Sequence, residues 1–514
     1  MRSVLRFICG VALIIGPALL SACSDAKEAD EPAYQPDAIE MLSTDITAPS
    51  EGGALRIEFS CTGDWSLQTS DDVRFNNGLF AKTSGSNNET TLHFTALPNT
   101  SAQDKFTKFT LHCGRASVEV EIRHPAMECE LTDEATIKEM LLKLYAAVDG
   151  EHSRFRGNWK AELPLSQWGN TVKYSGGELE LYLNETNIKG EVDLAGCTAL
   201  KTLRVSKNQL TKLNLKGCTR LETVDATSNQ IKDIDIDGCL SLRRLTCGYN
   251  APLSRIDVAN YYCLEQLYIS DCSLPEIDLA GCISLRTINV ANNNLTKLAV
   301  PERAKLEDLF CFSNKIEKLD VSGSPWLYLL NCGDNVLTDL DISGCTRLKR
   351  LYCYENLLST LDLTDQREIL FEVYCFTNRL TALDIAGYRT LSTLHCSDND
   401  LRQLDVSGCK SLTSLYASYN YLETLTASDD MSLVTLDLTR NRMKQIPLEL
   451  CHYGAKVYCA GNTDVNSEIP EHADSFVEFE HDARYEYGLG GMFTDRGYGW
   501  WYPCEPQSGA HKRQ

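Results

Sequence analysis

A 21-residue period constrains this chain more than any other feature. The segment Leu327 to Arg347 reads LYLLNCGDNVLTDLDISGCTR, with apolar or small residues at Leu327, Leu330, Cys332, Leu337, Leu340, Ile342 and Cys345. One period later the pattern returns as Leu348, Leu351, Cys353, Leu358, Leu361 and Leu363, and one period earlier as Leu306, Leu309, Cys311, Ile316, Leu319 and Val321. Repeats begin at Leu179, Leu200, Leu221, Leu242, Leu264, Leu285, Leu306, Leu327, Leu348, Leu370, Leu391, Leu412 and Leu433; every step is 21 residues except two of 22, after Leu242 and Leu348. A unit this short cannot bury its own apolar face. It must stack on copies of itself, which predicts a solenoid over 179–462 closed by a last strand from Lys456 to Asn462. At 514 residues the chain also exceeds one compact core, so further units are expected.

Two columns of the repeat carry fourteen of the 22 cysteines. One holds Cys247, Cys311, Cys332, Cys353, Cys375, Cys396 and Cys459; the other holds Cys197, Cys218, Cys239, Cys282, Cys345, Cys409 and Cys451. Other coils place Val205, Ala226, Ile269 or Val290 in the first column, so a cysteine there reads as a small buried hydrophobe with a free thiol. Stacked disulfides or a metal ladder are the alternatives. A third column is asparagine: Asn208, Asn229, Asn250, Asn293, Asn314, Asn335, Asn356, Asn378, Asn399, Asn420, Asn441 and Asn462, broken once by Cys272. An inward Asn in each coil can satisfy backbone groups of its neighbour.

Short coils of LxxLxCxxNxLxxLDVSxC character resemble the leucine-rich repeats of internalin-type proteins, especially those with a cysteine ladder. The resemblance covers more than half the chain. It implies a mostly β fold, with a parallel β-sheet horseshoe or arc and a binding concave face, and the short repeat leaves little room for a helix on the convex side.

The flanks are read in chain order. Residues 1–22 have Arg2 and Arg6 before an apolar run through Leu20, too short for a stable span, and so read as a secretion signal. The run ends Leu20-Ser21-Ala22-Cys23, which resembles a bacterial lipobox and implies lipidation at Cys23; an ordinary cleaved signal is the alternative. Removing the two arginines leaves 47 basic against 71 acidic residues, a net charge of −24 in place of −22. Residues 23–34 are polar and acidic, either a flexible tether or, by resemblance to Bacteroides-type lipoproteins, a surface-export signal.

Residues 35–124 alternate with period two at Leu55, Ile57, Phe59 and Cys61, at Phe109, Leu111 and Cys113, and at Val118, Val120 and Ile122, which predicts antiparallel strands of a β-sandwich. The run FSCTGDWSLQ, with Trp65, resembles the BACON module, an immunoglobulin-like domain that implies a spacer or a carbohydrate- or mucin-binding role. The module's usual closing glutamine is absent. Cys61 and Cys113 are candidates to pair across it. Residues 125–178 hold a helical face (Ile137, Leu141, Leu144, Tyr145, Val148) and Trp159 and Trp168, similar to the N-terminal caps of leucine-rich-repeat proteins. Residues 463–514, with EYGLGGMFTDRGYGWWYP, read as a C-terminal cap or small module.

Catalytic and metal motifs are missing from the sequence: no HExxH, no zinc-spaced Cys–His pair, no GxSxG elbow and no phosphate loop. No cofactor is expected. An acidic column, Asp193, Asp235, Asp257, Asp278, Asp320, Asp341, Asp362, Asp384 and Asp405, lacks the further ligands of a calcium ladder and reads as a solvated or turn-bonded row. The negative charge disfavours nucleic acid.

The face expected to be concave gives the candidate site. Its middle outward position reads Arg204, Asp225, Thr246, Tyr268, Asn289, Phe310, Asn331, Tyr352, Tyr374, His395, Tyr416, Asp437 and Tyr458. The next outward position adds Phe312, Tyr354 and Phe376, and one further on come Tyr249 and Tyr419. Exposed aromatic clusters bury much area at low entropy cost and mark interaction surfaces, whereas aromatics that serve only as strand formers would scatter over the outward positions. Tyr268, Phe310, Phe312, Tyr352, Tyr354, Tyr374, Phe376, His395, Tyr416 and Tyr419 are therefore candidate ligand contacts. The expectation is a non-catalytic outer-membrane lipoprotein, exposed on the cell surface and touching the membrane only through its lipid. It would bind a protein or glycoprotein, with glycan or mucin capture and a structural stalk as alternatives. Oligomeric state is not legible.

Overall fold

In the computed structural model the described residues are 37–43, 46–69, 78–99, 103–126, 132–146, 159–301, 304–428, 430–462 and 478–480. Residues 1–36, Cys23 among them, and all of 463–514 except 478–480 lie outside them.

One hydrophobic core runs the length of the coils, from the cap helix to Leu450. The inward leucines of each strand are buried, as at Leu327, Leu330, Leu348 and Leu351. Each coil contributes one strand to a sixteen-stranded sheet, whose order follows the sequence from Val172–Ser175 to Glu478–Glu480. From Leu200–Arg204 to Leu433–Asp437 successive strands are parallel and in register, so a residue faces its counterpart 21 or 22 positions on, as Tyr352 faces Tyr374 and Tyr374 faces His395. A second, interrupted set of parallel strands runs up to the acidic-column position, as in Lys189–Asp193, Gln209–Asn214 and Asp233–Asp235. Among the described residues the coils hold short 3-10 turns (Thr364–Gln366, Leu448–Leu450) but no α-helix. About thirteen coils stack in this way, the β-solenoid that the period predicts.

The asparagine column is the main bolt between coils. Asn335 Oδ1 accepts from Ile316 N–H of the coil before at 2.9 Å, while its Nδ2 donates to the carbonyls of Cys311, Cys332 and Gly333 at 3.0–3.1 Å. The same set recurs at Asn356 and Asn399. Where Cys272 interrupts the column, its thiol lies 3.6 Å from the Cys247 carbonyl, replacing one of those donors.

The two cysteine columns differ in a way residue type did not reveal. The first is packing: Cys311, Cys332, Cys353, Cys375 and Cys396 are fully buried free thiols, and burial pushes Cys332 and Cys375 up to about 12, which makes them inert. The second column does more than pack. Cys218, Cys239, Cys282, Cys345 and Cys409 each donate S–H to a carbonyl 24 residues earlier at 3.0–3.2 Å. At two coils where this column lacks cysteine another side chain makes the same bond: Tyr261 Oη donates to the Ile236 carbonyl and Gln366 Nε2 to that of Ile342. The acidic column is turn-bonded: Asp257, Asp278, Asp341 and Asp405 each accept the backbone N–H two residues on.

The first coil is sealed by the segment before it. The helix Glu134–Ala146 is N-capped by Asp133 and buries Ile137, Leu141 and Leu144; Tyr145 is 42% exposed and not part of that inward face, and Val148 lies outside the described residues. Trp159 stacks on the fully buried Trp168 at 5.2 Å. An antiparallel strand, Val172–Ser175, then pairs with Glu178–Tyr182 and closes the sheet edge, a strand that the helical cap expectation omitted.

The N-terminal unit has its own core. One four-stranded antiparallel sheet (Ile39–Met41, Gly53–Cys61, Thr91–Ala96, Gly78–Phe80) and another (Ser84–Gly85, Trp65–Thr69, Lys105–Cys113, Ala116–His124) bury Ile57, Phe59, Leu92 and Phe94 against Trp65, Phe109, Leu111 and Ile122. Phe59 meets Trp65 edge-on at 5.3 Å. Cys61 and Cys113 are adjacent, unbridged thiols.

Candidate functional site

The outward column of the long sheet is divided by residue chemistry. Asp225, Asn289, Asn331 and Asp437 turn their Oδ1 back to the backbone N–H two residues on, at 2.9–3.2 Å, so they cap the strand end. Arg204 and Thr246 apart, the other coils place a ring there instead. Asn289 and Asn331 thereby isolate Phe310 from the rings on either side of it.

Between Asn331 and Asp437 there is no interruption, and six rings form one cluster over four coils. Tyr352 lies 5.0 Å from Tyr374, which meets His395 edge-on at 5.7 Å, and His395 lies 5.1 Å from Tyr416. In the neighbouring column Tyr354 and Phe376 are parallel at 4.9 Å, and Phe376 stacks on His395 at 4.4 Å, tying the two columns together. Parallel, in-register pairing makes this contact possible: rings on adjacent strands sit one strand spacing apart, about 4.8 Å. Gly333 makes room for it, since a Cβ there would stand 2.5 Å from the Tyr354 ring.

The cluster is half-buried and electrically quiet at its centre. Burial holds the His395 imidazole down to about 4, so it is neutral at pH 7, and burial followed by the charge of Glu372 pushes Tyr374 up to about 12. Tyr352 donates its hydroxyl to Glu372, which also lies 3.6 Å from Arg350 Nε. That Nε is buried without a hydrogen-bond partner. Asp308 on the same face is raised by burial and by Glu307.

Of the sequence-derived candidates, Tyr352, Tyr354, Tyr374, Phe376, His395 and Tyr416 are brought together. Tyr268 lies apart, 5.5 Å from the Arg244 guanidinium. Phe312 follows Phe310 by two residues and is half-buried. Tyr419 does not belong to the sheet face. Like Tyr249 it occupies a left-handed turn position (φ 52° and 55°), is 53% exposed, and packs beside Arg440 at 5.2 Å. Cys23 lies outside the described residues. Sequence reading missed Glu372 and Arg350, and also Tyr328 and Phe371, which are 40% and 41% exposed in an adjacent outward column. That column is filled in earlier coils by alternating charges, with Arg243 paired to Glu265 and Arg286 to Glu307, so the change to Tyr328 and Phe371 was a legible signal.

Among the described residues no group of three or more His, Cys, Asp or Glu side chains is placed to hold a metal ion. No helix there is long and apolar enough to cross a membrane. Chemically the arrangement offers ring area, with Glu372 and Arg350 as polar groups beside it.

No protein-family model matches the chain, and no curated protein matches it. Solved structures do. The functional domain of InlJ from Listeria monocytogenes, described as including a cysteine ladder, is 28% identical over 54% of this chain and 64% of that one, with a TM-score of 0.50. The chain thus spans less than two thirds of that domain's length. The leucine-rich effector YopM from Yersinia pestis is 19% identical over 68% of this chain and 93% of its own, with a TM-score of 0.45. The InlJ likeness, with its own cysteine ladder, accords with a leucine-rich-repeat fold for the coils.

Proposed function

We propose that the chain is a non-catalytic binding protein that engages a protein or glycoprotein through the ring cluster Tyr352, Tyr354, Tyr374, Phe376, His395 and Tyr416. The observation that carries this reading is that the six rings are in mutual contact yet remain half-exposed on the sheet face. Such a surface gains area on binding with little side-chain entropy to lose, because its rings already hold one another. Tyr328 and Phe371 extend it. In this reading Cys23 carries lipid that tethers the chain to the outer membrane at the cell surface, residues 23–34 act as an acidic export signal and tether, and the N-terminal two-sheet unit is a BACON-like, immunoglobulin-like spacer. The resemblance of the coils to internalins supports a protein partner. Glycan capture is the second reading, supported by the flat Tyr354–Phe376 pair, which offers a stacking platform.

The test is a binding array of extracellular-matrix proteins, mucins and polysaccharides, probed with the chain and with a Tyr352→Ala, Tyr374→Ala, Tyr416→Ala triple variant of unchanged circular dichroism. Binding to a deglycosylated protein that falls at least about tenfold in the variant supports the first reading. Binding to a defined glycan moves the function to the second. Equal binding by both proteins rejects the cluster as the site.

A further inference from the structure

At the opposite end of the same face, five outward residues follow one another in register: Tyr182, Arg204, Asp225, Thr246 and Tyr268. With strands about 4.8 Å apart, the two tyrosines stand about 19 Å from each other and bracket a polar run. A shallow recess of about 410 Å³ opens there, lined among others by Arg204, Lys207, Asp225, Thr227, Arg244 and Thr246.

Three features of this recess suit it to a ligand that carries both an anion and hydroxyl groups. First, in a chain of net charge −22, the Arg204 and Arg244 guanidiniums are exposed and neither forms an ion pair with a described residue; they lie instead against rings, 5.6 Å from Tyr182 and 5.5 Å from Tyr268. Those contacts position the two cations without neutralising them. Second, Thr227 Oγ1 and Thr246 Oγ1 are buried atoms without a hydrogen-bond partner in the protein, a condition that native structures rarely leave unanswered. Third, Asp225 spends one oxygen on Thr227 N–H at 3.2 Å and leaves the other available.

Guanidiniums match the planar geometry of an oxyanion, while a carboxylate and hydroxyls match the hydroxyl groups of a sugar. Asp225 stands against a dense polyanion by repulsion, and the flanking tyrosines offer ring faces at both ends. We propose that this recess binds an acidic carbohydrate, with its carboxylate or sulfate on Arg204 and Arg244 and its hydroxyls on Asp225. The site shares no residue with the six-ring cluster, so it stands or falls separately from the function proposed above.

The experiment is calorimetric titration of the whole chain with glucuronate, glucose 6-sulfate, glucose and inorganic sulfate. An acidic sugar should bind at least about tenfold more tightly than glucose, more weakly as salt is raised, and the better of the two acidic sugars identifies the anion. An Arg204→Gln, Arg244→Gln double variant should lose about a hundredfold, near tenfold for each charge-assisted contact. Asp225→Asn keeps the strand-end bond, as Asn289 and Asn331 show, and should favour inorganic sulfate while weakening the acidic sugar. The Tyr352→Ala, Tyr374→Ala, Tyr416→Ala variant should titrate like the parent. Equal affinity for glucose and glucuronate, binding of inorganic sulfate alone, no heat with any probe, or an unchanged double variant would each overturn the proposal.

Discussion

Single side chains in this solenoid do the work of several backbone contacts. Asn335 satisfies one N–H and three carbonyls spread over two coils. Truncating it strands buried backbone groups, each costing about 1–3 kcal/mol, so Asn335→Ala should destabilise the protein by roughly 3 kcal/mol or more. Asn335→Cys should lose less, since Cys272 fills the equivalent position with a thiol 3.6 Å from a carbonyl. Urea denaturation of both variants checks the order. His395 gives the second prediction at this scale. Its folded value of about 4 is below the ordinary 6.5, so the unfolded chain takes up its proton first as pH falls. The contribution of the neutral ring is whole above about 6.5 and is lost progressively toward about 4. Denaturation midpoints measured at pH 7 and pH 5 should therefore lie closer together in His395→Gln than in the parent.

At the scale of the coil, the turn after each strand holds a non-glycine residue in the left-handed region: Lys207, Ser228, Tyr249, Asp271, Asn292, Ser313, Asp334, Glu355, Thr377, Asp398, Tyr419 and Arg440. Each precedes the ladder position, and the ladder side chain pins that turn; the Asn335 amide, for instance, holds the carbonyls just before Asp334. The cost of the left-handed conformation, about 1–2 kcal/mol for a side-chain-bearing residue, is offset there rather than avoided with glycine. No residue preference marks this column, which is why Tyr419 read as part of the sheet face. Gly333 belongs to the same stretch, and its role is spatial. Gly333→Ala should push the Tyr354 ring off Phe376 while leaving the coil folded, because the atoms in the way are the far end of a side chain. A change in near-ultraviolet circular dichroism with stability held within about 1 kcal/mol is the expected result; an unmoved spectrum would mean that the ring does not depend on this gap.

Over the whole molecule, each coil depends on its neighbours for a partner, so the ends decide how far the array holds together. The N-terminal end rests on Trp168, which is fully buried, stacks with Trp159 and donates its indole N–H to the carbonyls of Lys160 and Leu163. Trp168→Ala should cost about 3–5 kcal/mol. The loss should be graded along the chain: hydrogen exchange should accelerate most in the coils after Leu179 and least around the six-ring cluster. Uniform acceleration would indicate that the coils unfold as one cooperative body. The face itself has two ends of different chemistry, cations between tyrosines at coils one to five and contacting rings at coils nine to twelve.

The coil number, the direction of the leucines, the asparagine ladder and the small inward cysteines were all legible in the sequence. Translation along a solenoid gives the same position the same surroundings in every coil, so a period in residues becomes a column in space. Which side chains meet across the strand gap was not legible. Which rings touch depends on the partner one strand away and on a gap such as Gly333, whereas Asn289 and Asn331 keep Phe310 apart from them. That Cys345 and Gln366 serve one need appeared only when the carbonyls of Val321 and Ile342 were found opposite them. The period fixes the column on which a side chain stands. Its neighbours across the strand gap decide whether it caps a turn, bonds a carbonyl or joins a cluster of rings.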